Sequence, residues 1–126
     1  MNMNSPLSKA RGLGSAKEGA HHWKAQRLTA ILMLPLSIWF ICKLICVAGG
    51  THADLVAWLQ QPMSATLLIL LLASLFYHMA LGLQVVIEDY VQATGVKITL
   101  LLITQFGSIL FGLASIVSVL LIATGA

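Results

Sequence analysis

Residues 74–90 read Ser-Leu-Phe-Tyr-His-Met-Ala-Leu-Gly-Leu-Gln-Val-Val-Ile-Glu-Asp-Tyr and form the second half of an apolar segment that begins near Met63. The segment places His78 at membrane depth, and Asp89 and Tyr90 at the membrane edge. A histidine in hydrocarbon is costly, so it usually faces a protein interior, a cofactor or a water-filled cavity. His78 is therefore the first candidate for a functional site.

The neighbours of His78 sharpen this prediction. On a helix that turns about 100° per residue, Ser74 and Gly82 lie one turn either side of it. Small residues at these positions leave room for a flat macrocycle or for the close approach of a second helix. Asp89 returns to the same face about 16 Å further along the helix axis. From these residues alone, His78 is either part of a functional site or a group that hydrogen-bonds to another helix.

The composition predicts an all-α integral membrane protein, because 59% of the 126 residues are hydrophobic and only 9% are charged. Three transmembrane helices are expected at about residues 27–48, 63–87 and 97–123, each close to the length that crosses a bilayer. We expect residues 1–20 to be a flexible cytoplasmic segment and residues 21–126 to be one membrane domain. These spans leave no room for a soluble catalytic domain, so soluble chemistry must come from partner subunits.

The basic residues predict the orientation in the membrane. Five of the seven Lys and Arg residues lie in the first 27 positions, and the first loop between spans has none. By the positive-inside rule, the N-terminus is cytoplasmic and the C-terminus lies outside. The net charge of +3 is therefore an orientation signal and not a sign of nucleic-acid binding. Arg27 and the Glu88-Asp89-Tyr90 corner should emerge on the same cytoplasmic side.

Several smaller features have structural interpretations. Gly49-Gly50 should end the first span, and Asp54 to Leu59 should form a short interfacial helix with Trp58 at the membrane boundary. Cys42 and Cys46 are interpreted as small packing residues, because a regular i,i+4 pair does not suit a disulfide. Ser108 and Gly112 have the spacing of a helix-packing motif.

Two blocks of sequence resemble a known family. The segment His-Met-Ala-Leu-Gly-Leu-Gln-Val-Val-Ile-Glu-Asp-Tyr-Val, residues 78–91, resembles the second-helix motif of the D-type membrane anchor subunit of succinate dehydrogenase, complex II. That motif commonly has a histidine, Gly four residues later, and Asp-Tyr eleven and twelve residues later. The block Gly-Ala-His-His-Trp-Lys-Ala-Gln-Arg-Leu-Thr-Ala, residues 19–30, is similar to the start of the family's first helix. The three spans and the topology also fit.

The resemblance implies a cofactor and partners. In that family a C-type and a D-type anchor subunit hold one haem b between them, and ubiquinone is reduced at the boundary with the iron-sulfur subunit. The resemblance implies that His78 is an axial ligand of the haem iron and that Tyr90 hydrogen-bonds the quinone with Asp89 beside it. It further implies that Arg27 lies near the haem propionates, with His21 in their vicinity. Electrons would come from succinate through the flavoprotein and iron-sulfur subunits, linking the tricarboxylic acid cycle to the respiratory chain in the bacterial inner membrane.

The chemistry of these residue types agrees with the implied roles. A neutral imidazole is a good axial ligand for haem iron, and a single histidine implies that the second ligand comes from another chain. A phenol can donate a hydrogen bond to a quinone carbonyl, and a nearby carboxylate can assist proton delivery. The alternatives are that Tyr90 is an interfacial anchor and that Arg27 is only a positive-inside charge.

Two other classes of function compete with the redox anchor. One is a haem-free structural anchor or assembly protein of a membrane complex, in which His78 and Asp89 only hydrogen-bond between helices. The other is a small transporter protomer, since intramembrane His and Asp can relay protons. Against the transporter, the spans have no internal repeat and too few polar groups to line a path.

Overall fold

A computed structural model describes residues 17–125, and within them the chain is all-helical. The helices are α1 (Lys17–Ala48), α2 (His52–Leu59), α3 (Pro62–Tyr90) and α4 (Thr94–Thr124). Three of them are long and apolar enough to cross a membrane: Gly19–Ala48, Pro62–Tyr90 and Thr94–Thr124. The predicted fold class and the number of spans are confirmed.

Each long helix extends beyond its predicted span. The largest difference is in α1, which begins at Lys17, whereas the span was predicted from about Arg27. Residues 17–20, assigned from the sequence to a flexible segment, are helical. The hydropathy pattern identifies only the part that hydrocarbon covers, and a helix with polar side chains can continue past the membrane surface. The remainder of the predicted flexible segment lies outside the described residues.

The short helix α2 has a well-defined start. Thr51 and Asp54 form a capping box: the Thr51 backbone N–H donates to Asp54 Oδ2 at 2.7 Å, and the Asp54 N–H donates to Thr51 Oγ1 at 3.4 Å. The bond from the Thr51 backbone N–H, and after it the bond that the Thr51 hydroxyl donates to Asp54 Oδ2 at 2.8 Å, lower the pKa of Asp54. Gly50 leaves room for this carboxylate, since a Cβ there would lie 2.8 Å from Asp54 Oδ2.

The short helix packs against the protein more closely than the sequence predicts. Trp58 is buried, with a relative exposure of 6%, although its predicted place was the membrane boundary. Its ring lies 6.0 Å from the ring of Trp39 and 6.4 Å from that of Phe40, measured between centroids. The indole therefore joins α2 to α1 in an aromatic cluster, because rings at this separation gain from edge and offset packing.

The central helix is α3, which packs against both α1 and α4, whereas α1 and α4 do not contact each other within residues 17–125. Ser108 and Gly112 of α4 are buried, and a Cβ on residue 112 would lie 3.4 Å from the Phe76 side chain. The predicted packing role of this pair is thus confirmed against α3. In contrast, Cys42 and Cys46 are free thiols exposed on α1, so they do not pack within this chain.

Much of the apolar surface remains uncovered. Only 6% of the most apolar stretch of α1 is buried, compared with 22% of that of α3 and 17% of that of α4. Side chains as large as Phe106 and Phe111 on α4 are more than half exposed. Lipid or other subunits must cover such surfaces, and α1 offers the largest share of its length for this contact.

Candidate functional site

His78 lies on α3 at the contact with α1, and both nitrogens of its ring have a partner there. Nδ1 lies 2.9 Å from the Thr29 hydroxyl oxygen, and Nε2 lies 3.2 Å from the Gln26 side-chain nitrogen. Both partners are on α1, one helical turn apart. The sequence predicts the depth of this histidine, and the structure identifies which helix it faces.

The hydrogen bonds of Thr29 favour one tautomer of His78. The Thr29 hydroxyl has one proton, and it donates toward the carbonyl oxygens of Ala25 at 2.8 Å and Gln26 at 3.1 Å. With that proton engaged, the Thr29 oxygen is left to accept from His78, which favours the tautomer with the ring proton on Nδ1. The amide nitrogen of Gln26 can only donate, which agrees with an unprotonated Nε2. This is the neutral form of imidazole that can bind a metal ion, provided that the Gln26 side chain moves away from Nε2.

A polar stripe on α1 faces this part of α3. It consists of His22, Gln26 and Thr29, which are spaced i, i+4 and i+7 and thus share one side of the helix. His22 Nε2 and Gln26 Oε1 are buried and have no hydrogen-bond partner within the described part of the chain. Buried polar atoms of this kind are costly and usually have a partner in the functional assembly. The sequence analysis did not assign a role to this stripe, although its spacing was a signal that could have identified it.

A cleft of about 470 Å³ opens beside the stripe, between the first turns of α1 and the last turns of α3. Its lining is mostly polar or aromatic and consists of Gly19, His22, Trp23, Gln26, Gln84, Val85 and Glu88. Gln26 both lines the cleft and contacts His78, so it separates the imidazole from the open space. The cleft therefore lies between the half-buried His78, which Gln26 covers, and the end of the membrane domain where α3 ends.

Two of the predicted site residues, Arg27 and His21, are exposed on the surface of α1. Arg27 is exposed, and its guanidinium carbon lies 4.9 Å from the centroid of the Trp23 ring, in a cation–π contact. His21 is exposed and does not line the cleft, whereas its neighbour His22 does. Of the two adjacent histidines, His22 is thus the one next to the cleft, and the predicted role of His21 stays a prediction.

Asp89 and Tyr90 end α3 on the surface. Both are exposed, and the relative exposure of Tyr90 is 82%. The corner is held by Lys97, whose ammonium group donates to the Glu88 carbonyl oxygen at 3.0 Å and so satisfies one of the free carbonyls at the helix end. Tyr90 is twelve residues from His78, about 18 Å along the helix. The structure therefore separates these two predicted residues from the histidine site by more than three turns.

The two small neighbours of His78 differ in environment. Ser74 is buried, and its hydroxyl donates to carbonyl oxygens of its own helix, those of Leu70 and Leu71. Gly82 faces α1, where a Cβ would lie 3.5 Å from Gln26 Nε2. Of the two uses proposed for the space beside Gly82, the approach of a second helix is present within this chain.

Long apolar helices with a histidine-centred polar site between two spans define a multi-pass helical membrane protein. A family model described as the succinate dehydrogenase/fumarate reductase transmembrane subunit matches residues 1–114. The chain belongs to this family, as a membrane anchor subunit of succinate dehydrogenase.

Curated relatives with that function come from several bacteria. The chain is 36% identical over 114 residues to the succinate dehydrogenase hydrophobic membrane anchor subunit of Rickettsia bellii, covering 90% of each chain. It is 34% identical over 113 residues to that of Rickettsia conorii, covering 89% of this chain and 90% of the relative. The subunit of Paracoccus denitrificans is 30% identical over 104 residues, with coverage of 82% and 80%. No solved structure matches the chain. The family expected from residues 19–30 and 78–91 is thus confirmed.

Proposed function

We propose that this chain and a C-type cytochrome b anchor subunit together hold one haem b in succinate:ubiquinone oxidoreductase, with His78 as one axial ligand. We further propose that Asp89 and Tyr90 contribute to the site of ubiquinone reduction, next to the iron-sulfur subunit. Electrons would reach this site from succinate through the flavoprotein and the iron-sulfur subunit. The observation that carries the proposal is the imidazole of His78, held between two spans with its Nε2 in contact only with the long side chain of Gln26.

The residues around His78 suit a haem. A haem iron receives four ligands from its macrocycle and needs only axial ligands from protein, so one histidine from this chain is sufficient. Metal-bound histidines almost always donate their other ring N–H to an oxygen, and the Thr29 hydroxyl oxygen lies 2.9 Å from His78 Nδ1. When bound, the haem would supply a one-electron redox centre. The unpaired His22 Nε2 and Gln26 Oε1 offer polar contacts beside it.

The proposed roles of the basic and imidazole groups follow from their positions. Arg27 would pair with a haem propionate, because it is exposed beside Trp23 and a guanidinium can bind a carboxylate through two N–H groups. His21 is proposed only for the vicinity of the propionates. His22 is the better placed of the two, since it lines the cleft and His21 does not. The weakly covered surface of α1 is where we place the contact with the C-type subunit.

At the end of α3, two side chains of this subunit are proposed to take part in quinone reduction. The Tyr90 phenol would donate a hydrogen bond to a quinone carbonyl, and the Asp89 carboxylate beside it would relay a proton. Their exposure in the isolated chain supports a role that is completed by another subunit. Lys97 would stabilise the corner that carries both residues.

A haem-free structural anchor is the second candidate function. It is favoured by one observation: both nitrogens of His78 already have partners within the chain, so the imidazole is satisfied without a metal ion. Asp89 does not fit this candidate equally well, because it is exposed at the surface and not directed at another helix.

The two candidates differ in the spectrum of the purified complex. We expect the dithionite-reduced minus oxidised spectrum to contain the bands of a b-type haem in proportion to this subunit. A complex that oxidises succinate with an artificial acceptor but lacks these bands would exclude the haem role and favour the structural anchor.

The proposed location is the bacterial inner membrane, with the N-terminus in the cytoplasm and the C-terminus in the periplasm. It rests on the five basic residues among the first 27 positions. After Ala126, a reporter that requires the periplasm should therefore be active and one that requires the cytoplasm should be inactive. Before Ser5, the opposite result is expected. The reverse pattern would place Tyr90 on the periplasmic side and would remove it from the proposed quinone site.

A further inference from the structure

We infer that Thr29 is a positioning residue for His78: its hydroxyl oxygen holds the Nδ1–H and so fixes both the tautomer and the direction of the Nε2 lone pair. The inference rests on the proposed function, since it concerns how this chain presents an axial ligand. It arises from a contact between residues 49 positions apart, with Nδ1 and Oγ1 separated by 2.9 Å.

The Thr29 side chain is itself held in place. In a helix a threonine has two favoured rotamers, because its Oγ1 can bond the carbonyl oxygens three and four residues back. Thr29 makes both of these bonds, to Gln26 and to Ala25. The hydroxyl proton is thus directed into α1 and the oxygen lone pairs are directed away from it, toward α3. The hydroxyl oxygen is therefore a fixed acceptor.

A fixed acceptor has two consequences for the imidazole. First, it favours the Nδ1–H tautomer, because the form with the proton on Nε2 would leave the Thr29 oxygen without a donor; in the favoured form the nitrogen that can bind a metal ion is unprotonated. Second, the hydrogen bond from Nδ1–H increases the basicity of Nε2. A more basic ligand stabilises oxidised iron relative to reduced iron, so this bond should lower the reduction potential of a haem bound to His78.

The partially buried setting makes the bond effective. Both Thr29 and His78 are incompletely exposed, and they lie between two spans where water competes weakly for the ring proton. The other nitrogen has a different kind of partner, since the long and flexible Gln26 side chain lines an open cleft. Thr29 can thus stay in place when Nε2 binds the haem iron, whereas the Gln26 side chain has space in the cleft into which it can move.

The test uses the complete purified complex with Thr29→Val, which keeps the branched shape and removes the hydroxyl. Thr29→Ser, which retains a hydroxyl, is the rescue variant. Thr66→Val is the matched control, because Thr66 lies on the same helix as His78, is exposed, and bonds only the Pro62 carbonyl one turn back. The readouts are the rate of haem transfer to excess apomyoglobin and the midpoint potential of the haem.

We expect Thr29→Val to speed haem loss by about 10- to 100-fold, the usual effect of removing a partner of a metal-bound histidine. Its midpoint potential should rise, whereas Thr29→Ser and Thr66→Val should match the wild type. If Thr29→Val matches Thr66→Val in both readouts, or if Thr29→Ser fails to restore them, the inference is wrong. A complex in which His78→Ala retains haem with an unchanged spectrum would instead contradict the proposed function.

Discussion

Replacing His78 with alanine is expected to reduce the haem content of the purified complex to below about a tenth of the wild-type value. Loss of a partner of a ligand costs about 10- to 100-fold in metal affinity, and loss of the ligand itself should cost at least as much. The helix should still insert, because the substitution also removes a polar group that is expensive in hydrocarbon. The measurement is the ratio of haem to protein, together with the reduced minus oxidised spectrum.

His52→Ala is the matched control for this variant. His52 is exposed at the start of α2, outside the three apolar spans, so its loss should leave the haem content unchanged. The variant complexes should contain equal amounts of this subunit, which separates loss of haem from loss of assembly. An unaltered haem ratio and spectrum in His78→Ala would show that His78 is not an axial ligand, and the hydrogen bonds to Gln26 and Thr29 would then be its structural role.

Tyr90→Phe is expected to slow succinate-driven ubiquinone reduction by about 5- to 150-fold. The substitution keeps the ring and deletes only the hydroxyl, so it removes the proposed hydrogen bond to the quinone, at a cost of about 1 to 3 kcal/mol. Reduction of an artificial acceptor that takes electrons before the membrane site should proceed at the wild-type rate. Haem content should also be unaffected, because Tyr90 lies about 18 Å along the helix from His78.

The chain offers a control of the same chemistry. Tyr77 is on the same helix and half exposed, and it lines a groove against α4 rather than the end of α3. Tyr77→Phe should therefore leave both rates unchanged. Equal rates of ubiquinone reduction in Tyr90→Phe and Tyr77→Phe would show that Tyr90 is an interfacial anchor, the alternative that its position at the membrane edge also permits.

The class of protein and the family could be predicted from the sequence because membrane insertion imposes a strong pattern. Each span must satisfy its own backbone hydrogen bonds in hydrocarbon, so a run of about 20 apolar residues predicts a helix with little dependence on its neighbours. The helix ends were less predictable. The first turns of α1 contain basic and imidazole side chains, and whether they stay helical depends on contacts with α3 that hydropathy does not record.

The sequence by itself determined that a single histidine would lie at membrane depth on a helix ending in Asp89 and Tyr90. Only the tertiary structure decided that Thr29 and Gln26 meet its two nitrogens, that His22 rather than His21 faces the cleft, and that Trp58 is buried. The physical reason is the rotation of α1 about its own axis. Successive residues are about 100° apart around the helix, so the residues of α1 that face α3 depend on how the two helices pack. Local sequence determines which residues share a stripe, and packing determines what that stripe touches.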